Sequence, residues 1–212
     1  RKLTKEGELP TGERLNIDTQ QDPLDLNQKE FANLNSSTEN GGAIYCSKTN
    51  VTLQGCKFTS ITGKKGGAIY IYQTKISGVL TPLYCNIISC QFTNCVGLSN
   101  GGAAYLENTQ PSSFKMTIED CTFTSNEGQT GGAIYGNVRD QLVIKGCTFN
   151  NNKATVSGSS LWLQIGNNNG KDTNDTYILT NNKFLVGSDS ASNVYISNKP
   201  LDNGVQPHAC VY

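Results

Sequence analysis

Charge of either sign is scarce in this sequence: Lys+Arg 17 balances Asp+Glu 17 over 212 residues, and charged residues make up only 16% of the chain. No field able to gather nucleic acid or anionic lipid follows from that balance. No apolar run approaches the roughly 18 residues that would span a bilayer, which excludes a transmembrane helix. The chain starts at Arg1 with no apolar stretch behind it, so no signal peptide is visible, which is also compatible with a processed or excised form. Histidine occurs once, as His208 near the end. With one imidazole and no Cys-x-x-Cys pair, a zinc site is not expected. Helix-favouring composition is lacking too, since Gly 22 and abundant asparagine favour turns and strands. The expectation is an all-β chain.

What is present is a repeat. Gly-Gly-Ala followed by an aliphatic residue and Tyr occurs at 41–45, 66–70, 101–105 (with Ala104 in the fourth place) and 131–135, with degraded copies at 158–162 and 191–195. A second motif, Cys-x-Phe, precedes each following copy as Cys56/Phe58, Cys90/Phe92, Cys121/Phe123 and Cys147/Phe149, and Phe31 and Phe184 fill the same slot without the Cys. Upstream of each lies an apolar pair two residues apart, the period of a strand with one buried face: Leu24/Leu26, Val51/Leu53, Cys85/Ile87, Met116/Ile118, Leu142/Ile144 and Tyr177/Leu179. Gly55, Ser89, Asp120, Gly146 and Asn181 follow these pairs where the inward parity shifts by one, which marks a bend. Three short strands per unit cannot bury their faces alone, so units should stack. The spacing predicts a right-handed parallel β-helix of about six coils with three short strands per coil. It divides the chain into an extended N-terminal arm at 1–23, a solenoid at 24–196 and a tail at 197–212.

The paired motifs resemble those of the polymorphic outer membrane proteins, a family of chlamydial adhesins. GGAI is intact at Gly41–Ile44, Gly66–Ile69 and Gly131–Ile134, and strict Phe-x-x-Asn occurs at Phe123/Asn126 and Phe149/Asn152. Elsewhere the Asn slides by one, as at Phe31/Asn33 and Phe92/Asn94. The resemblance implies the pectin-lyase-like fold and an extracellular or cell-surface protein used in adhesion or assembly. Residues 197–212 are too few for the family's C-terminal membrane barrel, so membrane insertion is not expected.

Parity assigns the slots. If Ile44, Ile69, Ile134 and Val194 point inward, then Tyr45, Tyr70, Tyr105, Tyr135, Trp162 and Tyr195 point outward as an aromatic column, a candidate surface for a partner, a glycan or a covering segment. The alternative is an internal tyrosine stack. Cys56, Cys90, Cys121 and Cys147 should form a core column about 4.8 Å per rung, beside Phe58, Phe92, Phe123 and Phe149. Cys46, Cys85, Cys95 and Cys210 lie off that column. Cys95 at a turn and Cys210 in the tail are the better disulfide candidates. The sequons at Asn35, Asn50 and Asn174 are candidate glycosylation sites.

An inverting glycosidase needs two carboxyls about 6.5–9.5 Å apart, which a β-helix can supply from aligned rungs. Here Asp120 aligns with Ser89 and Gly146, Glu119 with Ile88 and Lys145, and Glu127 with Val96 and Lys153. The coils hold a single arginine, Arg139. No catalysis and no cofactor or metal are therefore expected. The expected role is non-enzymatic surface adhesion or head-to-tail filament or coat assembly, with a second copy, a surface glycan or a cell-surface protein as partner. A carbohydrate-binding or polysaccharide-cleaving β-helix is the alternative. Length varies mainly at one corner, after each GGA strand, where 71–84, 106–115 and 163–176 should project from one edge.

Overall fold

The computed structural model describes residues 13–18, 23–73, 83–108, 114–165, 176–185, 193–198 and 208–211. Every regular element in them is a strand, and every strand pairing is parallel. Four sheets run the length of a rod. Sheet A holds Leu15–Asp18, Ile44–Ser47, Ile69–Gln73, Ala104–Asn108, Ile134–Val138, Leu161–Ile165 and Val194–Asn198. Sheet B holds Leu24–Asn27, Val51–Gln54, Tyr84–Ile88, Lys115–Glu119, Gln141–Lys145, Thr176–Thr180 and His208–Val211. Sheet C holds the Phe strands Glu30–Ala32, Lys57–Thr59, Gln91–Thr93, Thr122–Thr124, Thr148–Asn150 and Lys183–Leu185. The chain visits B, C, D and A in turn, which makes five complete turns and a sixth whose described residues lack a D strand. The parallel β-solenoid read from the repeat is the fold.

Sheet D is the addition. Asn35–Ser36, Thr62–Gly63, Val96–Gly97, Glu127–Thr130 and Lys153–Ser157 form a ladder where the sequence suggests only a polar turn. Two-residue strands such as Thr62–Gly63 show no apolar alternation, so nothing in their composition separates them from a turn. Register is otherwise unshifted from rung to rung: Ile44 lies opposite Ile69, Ile69 opposite Ala104, Ala104 opposite Ile134, and Phe58 opposite Phe92. The one irregularity falls in sheet D, where Gly128 pairs with Ala154 but Thr130 with Ser157. Val156, within the shifted stretch, is exposed.

The arm and tail boundaries need correction. Leu15–Asp18 is the first rung of sheet A, with Leu15 opposite Ile44 and Ile17 opposite Cys46. Its alternating Leu15 and Ile17 are the strand signal, obscured by the polar residues around them. At the other end His208–Val211 pairs with Thr176–Leu179 and adds a rung to sheet B, so the solenoid reaches into both segments. The rest of 1–12, 19–22 and 199–207 lies outside the described residues.

The turns are made by columns of left-handed backbone. At the B-to-C bend Gln28, Gly55, Ser89, Asp120, Gly146 and Asn181 all have φ between 52 and 65°. At the C-to-D bend Asn33, Ser60, Asn94, Ser125 and Asn151 do the same, with φ between 52 and 57°. Asn, Asp and Ser tolerate this region better than most side chains because they can hydrogen-bond locally. The two glycines of the GGA motif divide two tasks. Gly66 adopts φ 63°, while a Cβ on Gly67 would collide with the carbonyl oxygen of Gly102 in the next coil.

Candidate functional site

Inside the rod the slots have become columns. Phe31, Phe58, Phe92, Phe123, Phe149 and Phe184 stack face to face with centroids 4.7–5.1 Å apart. Cys56, Cys90, Cys121 and Cys147 are buried beside them with free thiols. Each thiol reaches a carbonyl of the preceding coil: Sγ of Cys56 to Leu26 O at 3.6 Å, Cys90 to Leu53 O at 3.5 Å, Cys121 to Ile87 O at 3.4 Å and Cys147 to Ile118 O at 3.7 Å. Contact between neighbouring thiols is the largest influence on their ionisation: with burial it holds Cys56 and Cys121 above the ordinary thiol value, and against burial it holds Cys90 and Cys147 below it.

Cys95 lies at the C-to-D turn as expected but forms no disulfide, and neither Cys46 nor Cys85 is paired. All three are free and fully buried. Burial, opposed by backbone hydrogen bonds, lifts Cys95 to about 12, and burial together with the Asp18 charge lifts Cys46 to about 12. The side chain of Cys210 lies outside the described residues. Cys95 occupies the third position after its Phe, the slot of Asn126 and Asn152 in the neighbouring coils. Its Sγ reaches Phe58 O at 3.7 Å, just as Asn126 Nδ2 donates to Phe92 O at 3.1 Å and Asn152 Nδ2 to Phe123 O at 3.0 Å. The Oδ1 of Asn126 in turn accepts from the N–H of Cys95 at 2.9 Å. At the other bend Asn182 replaces the column cysteine, its Oδ1 accepting from the N–H of Cys147 at 2.9 Å. Cysteine and asparagine are thus interchangeable answers to one problem, the backbone groups left unpaired where the ladder turns a corner. Asn33 and Asn94 are a different column, the left-handed bend residues. The spacing Phe-x-x-Cys at Phe92 was the signal that could have joined Cys95 to the asparagines.

Outside, sheet A carries the aromatic column, and Ile44, Ile69 and Ile134 point into the core. Tyr45, Tyr70, Tyr105, Tyr135, Trp162 and Tyr195 stack with centroids 4.5–6.1 Å apart and planes within 5–16°. Tyr70 and Tyr105 are buried, Tyr45, Tyr135 and Trp162 half-buried, and Tyr195 is exposed. Burial first, and the nearby Glu107 carboxylate second, hold the Tyr70 and Tyr105 hydroxyls above their ordinary range. This geometry narrows what the column can do. Each inner ring has a neighbour on both faces, so a ligand can reach only ring edges along most of the ladder. Only an end ring lacks a second aromatic neighbour.

At the N-terminal end the rung opposite Tyr45 is Asn16, not an aromatic residue. A cleft of about 320 Å³ opens there, lined by Arg14, Asn16, Asp18, Thr38, Glu39, Asn40, Tyr45 and Lys64. Arg14 is fixed at its margin, donating from Nε to Gly41 O at 2.8 Å and from Nη2 to Asn40 O at 2.7 Å, with its guanidinium carbon 5.9 Å from the Tyr45 centroid. Asp18 sits 3.5 Å from Lys48. Sequence reasoning missed this site because its residues come from an assumed arm and from two successive turns.

The remaining candidates fall as follows. The variable connections all join sheet A to sheet B; their outer parts at 74–82, 109–113 and 166–175 lie outside the described residues. Asn35 is exposed in sheet D, Asn50 is half-buried with its Oδ1 accepting from the N–H of Tyr84 at 2.9 Å, and Asn174 lies outside the described residues. The acids pair as their alignment suggested: Glu119 lies opposite Lys145, with Lys145 Nζ donating to it at 2.9 Å, and Glu127 lies opposite Val96 and Lys153. Among the described residues no group of three His, Cys, Asp or Glu could hold a metal ion.

Such a rod, its core columns repeated coil after coil with an aromatic ladder outside, belongs to the class of repetitive β-helical proteins. The particular kinship comes from sequence. Residues 33–47 match the Chlamydia polymorphic membrane protein repeat. The chain is also 33% identical over 137 residues, 59% of its length, to a Chlamydia pneumoniae protein described as "Probable outer membrane protein pmp6", of which it covers 10%. The repeats are thus similar to those of the polymorphic membrane proteins, and the chain spans about a tenth of that relative's length. No solved structure matches the chain.

Proposed function

We propose that this chain is a cell-surface β-helix without catalytic activity, acting in adhesion or in end-to-end assembly. One observation carries the reading: the repeated Gly, Ile, Cys, Phe and Asn residues are all engaged in holding coil to coil, while length varies chiefly where sheet A passes to sheet B. That division is expected of a scaffold that presents a variable edge. The outer membrane description of the similar chlamydial protein supports a surface location. Partners would be a second copy joined head to tail, a surface glycan or a protein on another cell. Beads coated with the purified chain should attach to cultured cells in a dose-dependent way, and light scattering should show growth of particles with concentration. Neither occurring would reject the reading. Acidic polysaccharides incubated with the chain should release no unsaturated or reducing ends; release would favour the polysaccharide-cleaving alternative. Carbohydrate binding without cleavage has its own support in the cleft beside Tyr45.

A further inference from the structure

We propose that the buried thiol column binds a soft monovalent closed-shell cation, copper(I), each ion held in line between cysteines of neighbouring coils: one between Cys56 and Cys90, and one between Cys121 and Cys147. The inference stands apart from the adhesion reading. It starts from a spacing. The four cysteines each precede by one residue the paired strands of sheet C, where Lys57 lies opposite Gln91, Gln91 opposite Thr122 and Thr122 opposite Thr148. In-register rungs of such a sheet are about 4.8 Å apart. A bond between thiolate sulfur and a closed-shell first-row ion is about 2.3 Å, so two such bonds in line span about 4.6 Å. The pitch of the rod therefore matches the sulfur-to-sulfur reach of a linear site. A disulfide would need the same sulfurs to close to about 2 Å.

The surroundings select the ion. Each sulfur has two carbonyl oxygens beside it and one proton to give: Cys90 Sγ lies 3.5 Å from Leu53 O and 3.3 Å from Ile88 O, and Cys121 Sγ lies 3.4 Å from Ile87 O and 3.3 Å from Glu119 O. Cys56 and Cys147 repeat the pattern at 3.4–3.7 Å. Carbonyl dipoles that outnumber the protons they face make the column a place for positive charge. The N–H of Cys90 donates to Cys121 Sγ at 3.3 Å, the kind of contact that steadies a metal-bound sulfur. Charge balances when one cation replaces one proton: two thiols become a thiolate and a thiol with the ion between them, neutral overall, and the proton leaves to solvent. Neutrality matters because all four cysteines are buried. Zinc asks for four ligands and calcium for six or more oxygens, whereas among the described residues no group of three His, Cys, Asp or Glu could hold a metal ion. Soft sulfur offered in pairs suits copper(I). In the next coil the slot passes to Asn182, whose Oδ1 accepts from the Cys147 N–H and whose Nδ2 donates to Ile144 O, both at 2.9 Å, so asparagine fills the slot without supplying sulfur.

The test refolds the full reduced chain from urea without oxygen, in the presence of copper(I) added as its acetonitrile complex, and counts the ions the folded chain keeps against the copper(I) chelator bathocuproine disulfonate. Two ions per chain should be retained, each with two sulfur neighbours by X-ray absorption. Cys147→Asn should retain one. Two double variants then separate neighbouring thiols from a mere supply of them. Cys56→Asn with Cys147→Asn leaves the adjacent Cys90 and Cys121 and should keep one ion, whereas Cys90→Asn with Cys121→Asn leaves two sulfurs that are not neighbours and should keep none. Cys95→Asn lies outside the column and should still keep two. Circular dichroism and a cooperative urea transition verify each fold, and the matching Cys→Ser variants give the count should an asparagine variant fail to fold. No retention by the unaltered chain, equal retention by the two double variants, loss of an ion in Cys95→Asn, or copper with three or more sulfur neighbours would each overturn the proposal.

Discussion

The middle coils and the last coil use the same slots with different results. Leu161 and Leu163 are fully buried, whereas Val194 and Ile196, one rung on, are only partly so. Phe58, Phe92, Phe123 and Phe149 are shut in, but Phe184 is half-exposed and Leu185 beside it is 51% exposed. The first coil does not mirror the last, since Leu24, Leu26 and Phe31 are all buried. The GGA motif decays in the same direction, to Gly158-Ser159-Ser160. Ser159 stands where Gly132 stands one coil earlier, and its Oγ lies 3.2 Å from Asn193 Oδ1. A residue in a solenoid is stabilised by the rungs on both sides of it, so identical chemistry is worth less where one side is open.

That contrast can be broken in several ways, the strongest first. Gly102→Ala places a methyl group on the carbonyl of Gly132 and should destabilise by more than about 3 kcal/mol in urea unfolding, while Ser159→Ala should change stability by less than about 1. Phe92→Ala should cost about 3–5 kcal/mol and Phe184→Ala less than half as much. Equal losses would show that the last coil is packed as tightly as the middle. Asn126→Ala leaves the Cys95 N–H and the Phe92 carbonyl without their side-chain partner and should cost about 1–3 kcal/mol, whereas Cys95→Asn, which extends the amide ladder, should be nearly neutral.

Alkaline pH probes the buried groups together. Cys46 and Cys95 have folded values of about 12 against an ordinary 9.0, so both are held neutral. Their contribution is complete below pH 9 and is lost as pH rises towards 12, with Tyr70 and Tyr105 adding to the same fall. Melting temperature should therefore be flat from pH 7 to 8.5 and drop above 9. The smallest effect is expected at the exposed Lys145–Glu119 pair, where solvent screens the charges and Lys145→Gln should leave the unfolding midpoint unchanged.

Much of this was readable in advance because a stacked solenoid writes each contact several times. Phe58, Phe92, Phe123 and Phe149 announce a column by recurring, and the bend at Ser89 and Asp120 by a parity shift. What recurs without an apolar pattern stayed hidden. The two-residue strands of sheet D read as turn. Leu15 and Ile17 were a strand of one rung with no second copy upstream for comparison. Cys95 and Asn126 share a slot but not a residue type, and only the donor each directs at the preceding coil shows them to be equivalent. The cleft was least legible of all, since it arises where a column stops.

The unshifted register has a consequence for how such a chain can change over generations. Because Ile69, Ala104 and Ile134 occupy one address in consecutive coils and touch mainly their nearest neighbours, a whole coil can be duplicated or excised by recombination and the ladders on either side will still meet in phase. Each such event would alter reach by about 4.8 Å, one parallel-strand spacing. Length in this architecture is a heritable quantity adjustable in whole steps, separate from the chemistry carried at the tip.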